Sequence, residues 1–171
     1  MIISLTGFMG CGKSSVGREL SRLLCCPFMD LDSVIEEREG RKIPEIFATE
    51  GEAAFRRMEA EALRKCIYGQ ASDKLVAALG GGTVMTEECA KIVHEKTVCI
   101  YLRASVETLM DHLAGEVDNR PMLAGNLRTR IEELMSIRSA TYEKTAHIMI
   151  DTDGKTIEEI AREISIKGLF I

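Results

Sequence analysis

The sequence predicts an α/β fold of three layers, in which a five-stranded parallel sheet is flanked by helices. Three observations lead to this expectation. Short β-rich runs alternate with helical patterns along the whole chain, which is typical of consecutive βαβ units. The chain has 171 residues, of which 46% are hydrophobic and 29% are charged, as expected of one globular domain over residues 1–171. No internal repeat is present.

Five short, largely apolar strands are expected. In chain order they cover residues 2–5, 28–30, 75–78, 98–102 and 148–150. Because helical patterns separate them, parallel pairing is expected.

Helices are predicted where apolar residues recur at intervals of three or four. The first follows the first strand, with Val16, Leu20, Leu23 and Leu24 on one face. Others are predicted over residues 52–68 and 127–143, and the last begins at a capping box formed by Thr156 and Glu159.

The charge balance excludes several classes of protein. There are 22 Lys and Arg against 27 Asp and Glu, a net charge of −5, so no broad positive field exists for nucleic acid or an anionic membrane. The apolar runs are far shorter than the roughly 20 residues that span a bilayer. The first residues carry no basic group and no cleavage-site pattern of a signal peptide. We therefore expect a cytoplasmic protein.

The strongest motif is GFMGCGKS at residues 7–14, which matches G-x-x-x-x-G-K-[ST] between a strand and a helix. Glycines let backbone N–H groups converge on phosphate oxygens, the lysine reaches the β and γ phosphates, and the serine offers a hydroxyl to Mg²⁺. The motif predicts a phosphate-binding loop (P-loop) for a nucleoside triphosphate. Its expected contacts are Gly10, Cys11, Gly12, Lys13, Ser14 and Ser15.

Cys11 admits two interpretations. Converging N–H groups and the neighbouring Lys13 would favour its thiolate. The plainer interpretation, which we favour, is a small residue tolerated at a variable position of the motif.

Two carboxylates follow at the end of the second predicted strand, where open α/β sheets bind their ligands. Asp30 and Asp32 would point the same way on an extended segment. One could hold the metal through water while the other meets a substrate hydroxyl. Alternatively, Asp32 or Ser33 caps the next helix, with Ser33 and Glu36 as a capping box.

Two arginines on predicted helices are candidates for binding a substrate anion. Arg138 continues an apolar series, so its guanidinium is expected to turn inward towards a partner, or else to extend to solvent over an apolar stem. Arg56 has Glu59 three residues on, which by itself describes an ordinary ion pair on a helix surface.

Two glycine-containing segments complete the candidates. Gly80, Gly81 and Gly82 follow the third strand, and their entropic cost suggests that a ligand approaches the main chain closely. Residues 114–126 lack periodicity, which is typical of a lid. Arg120 in this mobile lid could close over a transferring phosphate.

In this order, the motifs GFMGCGKSSVG, MDLD, GRKIPEIFATEGEAAFRRME, GGG, NRPML and IRSATY resemble those of the shikimate kinase family, within the nucleoside monophosphate kinase-like P-loop fold. The resemblance covers essentially the whole chain. It implies ATP-dependent phosphorylation of the 3-hydroxyl of shikimate, on the pathway to chorismate and aromatic amino acids, by a monomer that uses Mg²⁺.

The resemblance also implies residue roles. Asp30 is similar to the Mg²⁺-linked aspartate, Asp32 to the aspartate that binds shikimate hydroxyls and acts as base, and Arg120 to the lid arginine near the transferred phosphate. A shikimate-binding region is implied at about residues 32–62. The substrate contacts implied are Asp32, Arg56, Gly80, Gly81, Gly82 and Arg138, with the two arginines clamping the carboxylate.

The chain departs from the family pattern at two places. Ala78 stands where members typically place Ser or Thr, so one hydrogen bond near the metal water is expected to be missing. The acidic residues 114–119 lack the arginine often found near adenine, so adenine contacts are expected from residues 151–155 instead.

Three other functions fit the sequence less well. A gluconate or nucleoside monophosphate kinase of the same fold is disfavoured by the paired arginines, the triple glycine and MDLD. A GTP-dependent switch is disfavoured because no Asn-Lys-x-Asp motif is present. A kinase that binds its substrates without turnover is disfavoured because Lys13, Asp30, Asp32 and Arg120 are all present.

Overall fold

A computed structural model describes residues 1–69, 72–116 and 120–167. Within them the predicted five-stranded sheet is confirmed, with the order β2-β3-β1-β4-β5 and every neighbouring pair parallel. Three strands extend one residue beyond the predicted ends. The strands are β1 (Ile2–Thr6), β2 (Phe28–Asp30), β3 (Leu75–Ala78), β4 (Val98–Arg103) and β5 (Ile148–Asp151).

Seven α-helices flank the sheet in the described part of the chain. Those predicted from periodicity correspond to α1, the second part of α3, α6 and α7; α2 is the helix expected after the two aspartates, and the structure adds α4 and α5. The helices are α1 (Lys13–Leu23), α2 (Leu31–Glu39), α3 (Ile43–Tyr68), α4 (Glu87–Lys96), α5 (Val106–Leu113), α6 (Leu127–Thr145) and α7 (Ile157–Lys167).

Helix α3 consists of two segments that meet at Gly51. This glycine has φ 83° and ψ 173°, which interrupts the helical backbone. The second segment matches the predicted helix over residues 52–68, whereas the first was not predicted. The rings of Phe47 and Phe55 lie 4.9 Å apart across the break and hold the two segments together. The first segment therefore packs beside the second.

The central strands are buried on both faces, as parallel sheets require. All four residues of β3 are buried, and Ser4 and Thr97 satisfy each other's buried hydroxyls at 2.6 Å. Because Leu5 and Asp30 both pair with Ala78 in register, the carboxyl ends of β1, β2 and β3 lie side by side. Whatever follows these three strands therefore meets at one edge.

The start of α7 confirms the predicted capping box. The Glu159 N–H donates to Thr156 Oγ1 at 3.1 Å, and the Thr156 N–H donates to Glu159 Oε2 at 2.7 Å. No helix in the described ranges combines the length and the apolar character needed to cross a membrane.

Candidate active site

The loop between β1 and α1 has the backbone of a phosphate-binding loop. Gly7, Gly10 and Gly12 have φ values of 141°, 79° and 95°, which side chains rarely allow. Gly12 is also the N-cap of α1 and supplies no capping side chain, so the first N–H groups of the helix stay available to an anion. Ser15 is exposed in this first turn.

Lys13 lies against the same loop. Its side chain is 8% exposed, and Nζ donates to the carbonyl oxygens of Gly7 at 2.8 Å and Phe8 at 2.9 Å. The ammonium therefore sits beside the loop's N–H groups, where a polyphosphate would meet both.

The thiol of Cys11 lies 3.9 Å from Lys13 Nζ, and Cys11 lines the same cavity as the rest of the loop. It is 3% exposed and packs in the hydrophobic core, and its backbone N–H donates to Phe8 O at 3.2 Å. That this thiol faces converging N–H groups stays a prediction. Burial favours the plainer interpretation of a small residue that fits.

Ser14 and Asp30 bring a hydroxyl and a carboxylate together. Ser14 Oγ donates to Asp30 Oδ2, while Asp30 Oδ1 accepts the Ser33 N–H at 3.2 Å and caps α2. The expected cap by Asp32 or Ser33 is therefore wrong. The predicted capping box is also absent, because the carboxylate of Glu36 binds the Ile43 N–H at 3.0 Å and Lys42 at 2.8 Å.

This oxygen pair suits a cation that is bound mainly by its substrate. Mg²⁺ prefers oxygen ligands, retains several waters, and is often held by one or two protein groups together with phosphates. No group of three or more His, Cys, Asp and Glu side chains that could hold a metal by itself occurs in the described ranges. Ser14 and Asp30 therefore fit a magnesium–nucleotide complex better than a protein-only metal site.

Asp32 lies in the first turn of α2, so the expected extended arrangement of the two aspartates is wrong. Both nevertheless line the same cavity. Burial, followed by the charges of Glu59 and Asp30, raises the pKa of Asp32 from 3.8 to about 6, although Lys13 and Arg120 oppose the shift. A carboxyl with a pKa near neutrality is suited to accept a proton.

The ion pair of Arg56 is more buried than the surface pair that its spacing suggests. Its side chain is 18% exposed, and Nη1 lies 2.7 Å from Oε2 of Glu59, which is only 1% exposed. The other oxygen, Oε1, accepts a hydrogen bond from Thr83 Oγ1 at 2.6 Å. Burial opposes the charge on Arg56, but Glu59 and Glu52 outweigh it, and the pKa of the guanidinium is raised.

The three glycines after β3 leave room for these side chains. A Cβ at Gly82 would collide with Arg56 Nη2, and one at Gly80 would lie 2.8 Å from both Asp32 Oδ1 and Glu59 Oε1. All three glycines also line the cavity that contains Arg56, and the close approach of a ligand to their main chain stays a prediction. The glycines are needed here for space.

Arg138 points inward, which is one of the two orientations left open by its position on the helix. It is 4% exposed, and among the described residues its buried Nη1 has no hydrogen-bond partner. Gly81 lies against this nitrogen, since a Cβ there would be 3.7 Å from it. The Gly81 carbonyl in turn accepts the hydroxyl of Tyr142, one turn further along α6. A buried guanidinium nitrogen with no partner is suited to an anionic ligand.

Arg120 lies in the middle of the predicted lid, and its Nε is 3.0 Å from Glu116 Oε2. Residues 117–119 of this segment lie outside the described residues. A short 3-10 turn, Pro121–Leu123, follows Arg120.

These groups surround two cavities that meet. One, of about 440 Å³, lies between α2, α3 and the glycines and contains Arg56 and Arg138. The other, of about 920 Å³, contains the phosphate-binding loop, Ser14 and Asp30. The residues that line both cavities are Met9, Asp32, Gly81, Glu116 and Arg120.

The larger cavity extends to the segment from which adenine contacts were expected. Thr152, Gly154 and Lys155 line it, as does His112 from α5. Sequence reasoning missed His112, and it also missed Thr83 as a partner of Glu59. The apolar wall of the smaller cavity was missed too. This wall consists of Ile43, Pro44, Phe47, Phe55 and Met122.

The fold and the site together define a P-loop kinase for a small anionic substrate. Residues 9–167 match the model of the shikimate kinase family. The chain is 45% identical over 163 residues to the shikimate kinase of Thermus thermophilus, covering 95% of this chain and 86% of the relative. The chain therefore belongs to the shikimate kinase family, whose members are kinases that phosphorylate shikimate.

Solved structures agree with this assignment. The shikimate kinase of Acinetobacter baumannii in complex with shikimate superposes with a TM-score of 0.94 at 34% identity, covering 99% of this chain and 93% of that one. The shikimate kinase of Aquifex aeolicus gives 0.85, also at 34% identity, covering 100% and 99%.

Proposed function

We propose that the chain transfers the γ-phosphate of ATP to the 3-hydroxyl of shikimate, giving shikimate 3-phosphate and ADP. The observation that carries the proposal is the meeting of the two cavities at Asp32 and Arg120. One cavity supplies phosphate-binding groups and the other supplies carboxylate-binding groups. A phosphoryl group passing between two substrates must cross the residues that the cavities share.

The smaller cavity suits shikimate because its polar groups match the ends of a carboxylated polyol. Arg56 and Arg138 offer guanidinium groups to the carboxylate, and Asp32 accepts hydrogen bonds from hydroxyls. The apolar wall, which includes Phe47 and Phe55, can cover the face of the carbon ring. The Acinetobacter relative was solved with shikimate, which supports this choice of acceptor.

In the proposed reaction the 3-hydroxyl oxygen of shikimate bonds to the γ-phosphorus of ATP. The bond from that phosphorus to the β–γ bridging oxygen breaks, and ADP leaves with its electron pair. Asp32 accepts the hydroxyl proton. Lys13 and Arg120 stabilise the charge on the transferring oxygens, so positioning and electrostatics supply most of the acceleration.

Mg²⁺ is the proposed cofactor, with Ser14 and Asp30 as the residues that hold it. When bound, it neutralises charge on the phosphate oxygens. The hydroxyl–carboxylate contact between these two residues is the observation that favours this position.

The remaining expectations belong to the same proposal. We take residues 1–171 as one kinase domain, with the acceptor region at about 32–62 and the lid at about 114–126. The chain acts as a cytoplasmic monomer on small molecules, without nucleic-acid or membrane partners. The net charge of −5 supports the absence of an extended nucleic-acid surface.

The decisive experiment measures ADP release from Mg-ATP by the purified protein. We expect strong stimulation by shikimate and background rates with gluconate or nucleoside monophosphates. Stimulation by one of those controls instead would assign a different acceptor. ADP binding by the protein without stimulation by any acceptor would contradict the proposed reaction while retaining the nucleotide site.

A further inference from the structure

The last turn of α5 lies directly on the phosphate-binding loop. His112 Nδ1 is 2.7 Å from the carbonyl oxygen of Gly10. Because a carbonyl oxygen only accepts hydrogen bonds, Nδ1 must carry the hydrogen and donate it. Gly10 is also enclosed by the neighbouring Leu113, since a Cβ at Gly10 would lie 2.7 Å from Leu113 Cγ. Two consecutive residues of α5 thus contact one residue of the loop.

The Gly10 carbonyl bears on the shape of the loop. Gly10 has φ 79°, and a loop whose N–H groups converge on phosphate turns carbonyl groups outward, where they need donors. The carbonyls of Gly7 and Phe8 accept from Lys13, which belongs to the motif itself. The carbonyl of Gly10 accepts from His112, about a hundred residues away in sequence.

His112 also lies where it can influence nucleotide binding. Together with Thr108 and Asp111 it lines the larger cavity on the side of the loop. It does not line the smaller cavity, whose lining includes Arg56 and Arg138. Replacing His112 should therefore change the binding of the nucleotide and not that of the acceptor.

We propose that His112 is a positioning residue for the nucleotide, which holds the Gly10 carbonyl through Nδ1–H and so keeps the loop in its phosphate-binding shape. The inference rests on the proposed function, because it takes this loop as the ATP site. The role needs a donor at the Nδ1 position and no charge.

The test compares side chains that differ in where they place a donor. In H112N the amide nitrogen stands close to the position of Nδ1, in H112Q it stands close to that of Nε2, and H112A has no donor. The matched control is E107Q, also on α5, because Glu107 is exposed and pairs with Arg128 away from the loop. ADP dissociation constants come from calorimetry, and the KM values for ATP and shikimate come from the ADP-release assay. Thermal unfolding of each variant checks the fold.

A solvent-accessible hydrogen bond between neutral groups contributes on the order of 0.5–1.5 kcal/mol, equivalent to about two- to tenfold in affinity. We expect H112A and H112Q to raise the Kd for ADP and the KM for ATP by this factor, with the KM for shikimate within twofold of wild type. H112N should restore most of the loss, and E107Q should bind ADP as wild type does.

The outcomes separate this inference from the proposed function. If wild-type protein binds ADP and H112A binds it equally well, the positioning role is wrong and the nucleotide site stands. If H112N is as impaired as H112A, a donor at Nδ1 is not what matters, and the inference is again wrong. Failure of the wild-type protein to bind ADP would contradict the nucleotide site itself, and with it both proposals.

Discussion

Arg56 and Glu59 form an ion pair whose carboxylate is held from both sides. Glu59 is almost completely buried, with Arg56 at 2.7 Å on Oε2 and the Thr83 hydroxyl at 2.6 Å on Oε1. A buried charge needs each of its oxygens satisfied, because the low local dielectric makes an unpaired one costly. The direction of the Arg56 guanidinium in the cavity therefore depends on Thr83, which does not line that cavity.

The first prediction concerns this hydroxyl. Thr83→Val keeps the shape of the side chain but leaves Glu59 Oε1 without its donor, so Arg56 should lose its fixed position. We expect the KM for shikimate to rise about three- to tenfold, as befits the loss of one hydrogen bond to a charged group, with the KM for ATP nearly unchanged. Steady-state kinetics with each substrate varied checks this.

Thr83→Ser is the matched control for that variant, because serine keeps the hydroxyl and removes one methyl group. It should remain within about twofold of wild type in the KM for shikimate. Equal impairment of the serine and valine variants would assign the effect to packing and contradict a role for the Thr83 hydroxyl.

Arg138→Ala tests the unpaired buried guanidinium. Loss of a charge-assisted hydrogen bond to the substrate carboxylate should raise the KM for shikimate by about 10- to 100-fold. ADP affinity should remain nearly intact, because Arg138 lines the smaller cavity and not the larger one. Calorimetry with ADP and kinetics with shikimate give the two readouts. Equal loss of both, in a variant that unfolds at the wild-type temperature, would contradict the assigned role.

Lys13→Met tests the phosphate-binding loop. The ammonium would stabilise charge on the transferring phosphate, so we expect kcat to fall by at least about 100-fold. Lys91→Met is the control, because Lys91 is an exposed lysine of α4 whose side chain is 4.0 Å from Glu95. Retained turnover in Lys13→Met would contradict a role of this loop in the reaction.

The raised pKa of Asp32 predicts how activity depends on pH. Burial and the charges of Glu59 and Asp30 disfavour its ionised form and raise its pKa from 3.8 to about 6. Asp32 is therefore protonated below that pH and able to accept a proton only above it. A carbon-13 NMR titration of the carboxyl groups, assigned with Asp32→Asn, should show one aspartate with a midpoint near 6. The value of kcat/KM for shikimate should fall as the pH drops through the same range. A midpoint near 4 for Asp32 would contradict the role of burial.

Much of the fold follows from local patterns, and the exceptions have physical causes. Strand positions were predicted to within one residue because short apolar runs in a buried parallel sheet are distinctive. The first segment of α3 was missed because Gly51, with φ 83°, ends the periodic pattern there. The N-cap of α2 was assigned to the wrong residue, because Asp30, Asp32 and Ser33 are all good caps and only the backbone decides between them.

The sequence by itself determined the phosphate-binding loop, the alternation of strands and helices, and the candidate residues of both substrates. These features are readable because a phosphate is bound by consecutive backbone groups and a strand or helix by its own periodicity. Only the tertiary structure decided which groups meet. Thr83 and Glu59 are 24 residues apart, and Gly10 and His112 are 102 apart.

Burial was also decided only by the tertiary structure, since it depends on the packing of distant elements. Burial and neighbouring carboxylates raise the pKa of Asp32, and burial leaves a nitrogen of Arg138 without a partner among the described residues.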